Sequence, residues 1–483
     1  MSCNQKKQVF NLLVHQKIIR DYMNVFTPYR GILLYHGLGS GKTCTSIAVA
    51  EGMRSSLEIL VMLPASLEKN YIKELKNCGN LFYKRDQLWG FCSTDRNDSR
   101  FTNSVYMFDS LDDQELDPSE LEKQKNNIIQ TLANLLNVNV QYIKKQRGVW
   151  LINKSGKPIT SLNNRSISRS NVYKNLSLLE QESLDNQITV MIKNKYKFFR
   201  YNGNVTGEIC KIQSEIKRRN NTEMTEEEYD CENELILDPN VNPFDNKVII
   251  IDEAHNLVSQ IVNKLNKPNS ISMQMYQFLL SAKNVKIVML SGTPLINKAN
   301  EFSIIFNILR GYITTWKLSL EADKRNKNDR ASINEKMVKN SLKKRNCVHH
   351  DYFEYVSKPH QTLIVTRNPL GFENQYSKNS KTYSGIRRLK KSRDAEMPDA
   401  EMSDSEIYYD EFGSKKTTYT DLQFIRSLNK CLPNNVKIGN YTSENNELLP
   451  TDLDEFKSEF FRNNGANSSA IEIKNDLLLK KRI

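Results

Sequence analysis

The sequence predicts an α/β fold built around a parallel sheet, and three observations carry that prediction. Short apolar runs alternate with helix-like segments early in the chain: 31–36, GILLYH, then 42–53, then 57–64, LEILVMLP, then ASLEKNYIKEL. Such alternation marks strands joined by crossover helices. The same signal returns far downstream at 247–251, KVIII, and again at 285–290. Three of these runs end in strings rich in glycine, carboxylate or hydroxyl residues, which in a parallel sheet lie at the carboxyl edge where ligands bind.

Taken in order, residues 8–26 place Phe10, Leu13, Val14, Ile18, Tyr22 and Phe26 at helical spacing, so the spacing predicts an amphipathic helix, or two short ones, closed before Pro28. Residues 42–53, KTCTSIAVAEGM, are small and aliphatic and suit a helix packed on a sheet. From about 81 to 245 the text turns Asn- and Lys-rich, with a helical segment at 121–138 and an acidic run at 222–234. A structureless loop of that length is improbable, so a mainly helical insertion of largely independent character is expected there. The domain reading is therefore 1–80 and 246–375 as two parts of one α/β domain, with 81–245 inserted between them. The string RRLKKSR and the near-repeat DAEMPDAEMSD make 376–420 a low-complexity linker, and 421–483 is a partly disordered C-terminal extension with some helical periodicity.

The chain has 483 residues and a formal net charge of +13, a balance that favours a polyanionic partner such as nucleic acid. Its eight cysteines form no Cys-x-x-Cys pair and no cluster with histidine, so neither zinc nor a disulfide framework is expected and a reducing compartment fits. Cys347, His349, His350 and His360 do not have the spacing of a standard metal site. Neither a signal peptide nor an apolar run of membrane length is present, so neither secretion nor a membrane partner is expected.

The string His36-Gly37-Leu38-Gly39-Ser40-Gly41-Lys42-Thr43 has the spacing of a phosphate loop. Glycines let backbone N–H groups turn inward around phosphates, Lys42 reaches the β and γ phosphates, and the Thr43 hydroxyl can ligate Mg²⁺. His36 stands where the strict pattern has glycine. Asp252 and Glu253 follow four aliphatic residues, at a strand end. There Asp252 can hold Mg²⁺ and Glu253 can orient and deprotonate an attacking water. Ser291-Gly292-Thr293-Pro294 ends a third strand, and its hydroxyls suit hydrogen bonds to those carboxylates. Two features keep two readings each. Cys44 is a small packing residue or a thiol that makes activity sensitive to reagents. Tyr and Phe interleaved with Lys in NKYKFFRYNG, 194–203, are base-stacking residues or a half-buried strand.

In motif order and content these strings resemble a superfamily 2 helicase or translocase. The resemblance implies a RecA-like phosphate-loop NTPase lobe. It further implies an ATP site of Gln16, Gly37, Gly39, Ser40, Gly41, Lys42 and Thr43, with Gln16 reading adenine. Catalytic roles fall to Lys42, Asp252, Glu253 and His255, and Mg²⁺ binding to Thr43 and Asp252. Pro64, Ser66 and Asn70, within PASLEKN, match the segment that grips the nucleic-acid backbone in Swi/Snf-type ATPases, and Ser291, Gly292 and Thr293 match the coupling motif. The DEAHN and SGTP strings with the long insertion resemble helicases of nucleocytoplasmic large DNA viruses, such as the poxvirus-type early transcription factor small subunit and nucleoside triphosphatase I. No Gln-x-x-Gly-Arg-x-x-Arg string follows Pro294. The expectation is thus the ATP-binding half of an RNA- or DNA-dependent ATPase in viral transcription or genome handling, in the host cytoplasm or the virion. A second lobe would come from a partner polypeptide or the transcription machinery. An ATP-switched binding subunit is the alternative, and a small-molecule kinase a third reading.

Overall fold

The computed structural model describes residues 12–37, 39–85, 87–94, 118–152, 159–160, 166–167, 172–220, 237–322, 333–344, 350–358, 360–369, 372–377, 382–388, 390–391, 407–409, 415–417 and 421–460. The acidic run at 222–234 and the near-repeat at 394–404 fall outside them. The chain divides into two compact units, one of residues 1–22, 32–257 and 283–294, the other of 23–31, 258–282 and 295–483.

In the first unit the leading elements are α1 (Val14–Tyr22), β1 (Gly31–Tyr35), α2 (Lys42–Met53), β2 (Glu58–Leu63) and α3 (Glu68–Cys78). They are followed by β3 (Trp89–Ser93), α4 (Pro118–Leu136), β4 (Gly148–Ile152), α5 (Leu178–Lys195), β5 (Tyr196–Arg200) and α6 (Val205–Asn220). Then come β6 (Lys247–Ile251), α7 (Ala254–Val262), α8 (Ile271–Ser281), which belongs to the second unit, and β7 (Lys286–Ser291). The central sheet has five strands in the order β1-β7-β6-β2-β5, with parallel pairing from β5 through β2 and β6 to β7. All five residues of β6 are buried, the continuous apolar pattern of a strand covered on both faces. The α/β class read from the sequence is the class observed.

Two findings differ from what spacing alone suggested. The helix α1 exists, but its apolar stripe faces outward: Val14 is 74% and Ile18 63% exposed, whereas Gln16 is 2% exposed. The reason is polar, since Gln16 is drawn inward by hydrogen bonds described below. The span 81–245 also supplies β5 to the central sheet, beside β2. Of the two readings of 194–203, the strand is therefore the observed one, with Tyr196, Phe199 and Tyr201 buried. Elsewhere in that span β3 pairs antiparallel with β4, and buried Gln187 of α5 brackets Trp150 by accepting from its N–H at 2.7 Å and donating to its carbonyl at 2.8 Å. The start of α5 is fixed by a reciprocal capping box between Ser177 and Glu180.

The second unit continues with α9 (Glu301–Arg310), β8 (Ile313–Ala322), α10 (Glu335–Lys344), β9 (His350–Val356), β10 (Thr362–Arg367), α11 (Asp421–Cys431), β11 (Val436–Asn446) and α12 (Leu453–Phe460). Its main sheet is antiparallel, in the order β9-β10-β8-β11. Trp316, Leu318 and Leu320 alternate along β8 and pack with Val338 and Leu342 of α10 and Phe424 and Leu428 of α11. Such period-two alternation places one face of a half-buried strand on a core and leaves the other to solvent.

Candidate active site

Every strand of the parallel sheet delivers a notable segment at its carboxyl end. β1 runs into the glycine-rich loop of the 36–43 string, where Gly39 (φ +78°) and Gly41 (φ +77°) adopt the left-handed conformation that side chains rarely tolerate. A Cβ on Gly41 would also lie 2.6 Å from the Gln16 side-chain nitrogen, so both conformation and space demand glycine there. The loop folds on itself: Ser40 Oγ donates to the Gly37 carbonyl at 2.8 Å, and Lys42 Nζ donates to the His36 carbonyl at 2.7 Å. Leu38 lies outside the described residues. A Cβ built on Gly292 would sit 3.4 Å from Lys42 Nζ, so the ends of β1 and β7 meet at the lysine.

At the end of β6 the Asp252 N–H donates to the Met62 carbonyl at 2.9 Å, and Asp252 Oδ1 accepts from the Glu253 N–H at 3.0 Å. Burial first, and the Glu253 charge second, push the Asp252 carboxyl up to about 6, partly opposed by the Glu253 N–H and by Lys42. A half-buried carboxylate beside a second carboxylate is a donor set that a divalent cation relieves. With the hydroxyl of Thr43 it fits Mg²⁺ by chemistry. Glu253 has φ +47°, an uncommon conformation for a residue with a side chain and one that clusters at functional sites.

The raised Asp252 carboxyl has a stability consequence with a definite sign. The folded chain holds this proton more tightly than the unfolded chain, so stability is lost as pH rises through about 6 and the penalty is absent below the ordinary aspartate range. Asp252→Asn should therefore raise the stability of the ligand-free protein by on the order of 2 kcal/mol near neutral pH. Thermal unfolding checks this: the variant melts higher than wild type above pH 7, and the gap closes at pH 4.

His255 joins the two remaining strings. Its Nδ1 lies 3.0 Å from Ser291 Oγ and 3.3 Å from Glu253 Oε2, while Ser291 Oγ accepts from the Thr293 N–H at 3.1 Å. Ser291 thus meets the DEAH string through His255, where direct bonds to the carboxylates were expected. Gln16 closes the other side of the loop. Its Nε2 donates to the Gly41 carbonyl at 3.2 Å and its Oε1 accepts from the Leu13 N–H at 2.9 Å, so its amide braces the loop in this structure.

Of the expected nucleic-acid residues, Ser66 and Asn70 are exposed on the turn and first helical residues after β2, whereas Pro64 is buried. Behind them stand three residues of the 194–203 string, whose bonding the sequence did not reveal. Arg200 donates through Nε and Nη2 to Glu68 Oε2 at 2.9 and 2.7 Å. Tyr201, 1% exposed, donates to the carbonyls of Asp252 at 2.8 Å and Glu253 at 3.1 Å. Asn202 Oδ1 accepts from the Ala65 N–H at 3.1 Å. The aromatic-rich string around 196–201 after a helix was the available signal.

Also missed was the disulfide between Cys44 and Cys78, with Cα atoms 5.7 Å apart. It ties α2 to α3 and corrects the expectation that Cys44 is a packing residue or a reactive thiol. Nothing in the spacing marks the pair, because it is the side-by-side packing of two helices that brings the residues together. Closing a loop of sequence separation 34 stabilises by roughly 3–4 kcal/mol on chain-entropy grounds. Cys78→Ser should accordingly melt several degrees below wild type without reductant, and the difference should disappear when both proteins are reduced.

No protein-family model matches the chain. Relatives are found among proteins of large DNA viruses. A protein of Acanthamoeba polyphaga mimivirus, named "Putative ATP-dependent RNA helicase", is 26% identical over 307 residues, which is 62% of this chain and 19% of that protein. A second mimivirus protein of the same name is 40% identical over 68 residues, 14% of this chain and 12% of that protein. The "Termination factor NPH-I homolog" of African swine fever virus is 39% identical over 66 residues, 14% of this chain and 9% of that protein. The chain is homologous to helicase-like proteins of large DNA viruses. Its parallel sheet is the α/β, RecA-like lobe of such helicase-like proteins. The chain matches less than a fifth of the length of either mimivirus relative. Among its described residues, no helix is long and apolar enough to cross a membrane.

Proposed function

We propose that the chain is the ATP-binding half of a nucleic-acid-dependent ATPase, a helicase or translocase serving viral transcription or genome handling in the host cytoplasm or virion. The observation that carries this reading is the meeting of three strand ends: Lys42 lies against Gly292, and its charge acts on Asp252. ATP lies along the phosphate loop, with the inward N–H groups and the α2 N-terminus on its phosphates. Lys42 exchanges the His36 carbonyl for phosphate oxygens. Thr43 and Asp252 would hold Mg²⁺, which when bound neutralises phosphate charge. Glu253 orients a water and accepts its proton as the water oxygen attacks the γ-phosphorus and the bond to the ADP oxygen breaks. His255, shared between Glu253 and Ser291, passes the state of the γ-phosphate to the SGTP turn.

Ser66 and Asn70 contact the phosphate backbone of single-stranded RNA or DNA, a contact that reads no base sequence. An arginine supplied by a second lobe on a partner polypeptide completes the site, a contribution worth about 10³–10⁵ in rate in related chemistry. The second reading is an ATP-switched binding subunit with little turnover of its own. Phosphate release from ATP with and without single-stranded RNA or DNA tests both. Stimulated release supports the motor. Binding of ATP with no release under any condition supports the switch, and phosphate transfer to a small molecule would mark a kinase.

A further inference from the structure

Three consecutive residues of the 194–203 string touch both the ATP-site turn and the nucleic-acid segment. Arg200 ends β5, and Tyr201 and Asn202 follow it. In the sheet β5 and β6 flank β2 on opposite sides, so a residue leaving β5 must reach across the end of β2 to meet the end of β6. Tyr201 does so, its buried hydroxyl within hydrogen-bond distance of two successive carbonyls, those of Asp252 and Glu253. These carbonyls frame the turn in which Glu253 holds its left-handed conformation. A single donor on both fixes the peptide plane between them and with it the direction in which the Glu253 side chain leaves. The neighbours of Tyr201 are fastened to the other segment: Asn202 accepts the Ala65 N–H, and Arg200 holds Glu68, the first residue of α3 and 8% exposed. Ser66 lies between these two anchored residues, and Asn70 follows one half-turn later.

We propose that Arg200-Tyr201-Asn202 is a positioning element that couples the nucleic-acid segment at 65–70 to the Glu253 turn. Engagement of a phosphate backbone at Ser66 and Asn70 shifts the 65–68 turn. Through Asn202 and Arg200 that shift moves Tyr201, and Tyr201 re-aims Glu253. The element acts on the catalytic turn without touching ATP. The inference rests on the ATPase reading above.

Because coupling between two ligands is reciprocal, it is measured without turnover. The affinity of the full chain for fluorescein-labelled oligo(dT) and oligo(U) is determined with and without a non-hydrolysable ATP analogue and Mg²⁺. In the wild type the nucleotide changes oligonucleotide affinity by about fivefold or more. In Tyr201→Phe and in Asn202→Ala that ratio falls toward one, while the affinity for each ligand alone stays within about twofold, which a merely structural loss would not permit. Asn202→Asp, which keeps the acceptor oxygen, retains the ratio. Variants that keep the wild-type ratio overturn the inference, as does a wild type that binds both ligands with a ratio of one. A wild type that binds neither ligand overturns the ATPase reading itself, and the inference falls with it.

Discussion

Replacing Lys42 by alanine is expected to weaken ATP binding by roughly 10- to 100-fold, the range for losing a charged group's hydrogen bonds of about 1.5–3 kcal/mol. Lys42 Nζ now rests on the His36 carbonyl at 2.7 Å and beside Gly292, a position from which a rotation of the side chain brings it to a phosphate. Alanine leaves the loop its glycines and its Gln16 brace, so the backbone should stay in place and the loss should be confined to affinity. Competition with a fluorescent ATP analogue checks the magnitude, and an unchanged thermal midpoint without nucleotide checks the confinement. Wild-type affinity in the variant would remove Lys42 from the site.

Glu253→Gln is expected to lower turnover by about 10²–10⁴-fold, the usual worth of a general base, while ATP still binds. The amide keeps the size of the side chain and leaves intact the backbone bonds from Tyr201 and to Asp252 Oδ1. It removes the ability to accept the proton of the attacking water. It also removes a negative charge that raises the Asp252 carboxyl, so the variant should bind nucleotide at least as well as wild type in the absence of divalent cation. Turnover by the variant at the wild-type rate would assign the base to another residue.

The fold of the first unit was legible because its strands β2, β6 and β7 are buried almost throughout and read as unbroken apolar runs, as in KVIII. The glycine-rich and DEAH strings were legible for a related reason: each is a run of contiguous residues. What stayed hidden depends on packing between segments distant in sequence. Gln16 stands on a helix whose apolar stripe suggested the opposite face as the buried one, and only its bonds to Gly41 and Leu13 turn it inward. Cys44 and Cys78 meet only once α2 lies beside α3. Tyr201 reaches Asp252 only because β5 joins the sheet across β2, a pairing that the Asn- and Lys-rich text around it obscures. In the second unit Trp316, Leu318 and Leu320 alternate along a strand, but charged residues around them hid both the strand and the antiparallel sheet it belongs to.

The claim on which the rest depends is that the ends of β1, β6 and β7 form one nucleotide site on this chain. Calorimetric titration of the purified chain with ATP, with Mg²⁺ and then with a chelator, tests it most directly. One ATP per chain is expected in Mg²⁺, with a marked loss of affinity when the cation is removed, because Asp252 and Glu253 then face the phosphates unrelieved. No binding, or binding indifferent to the cation, would contradict it.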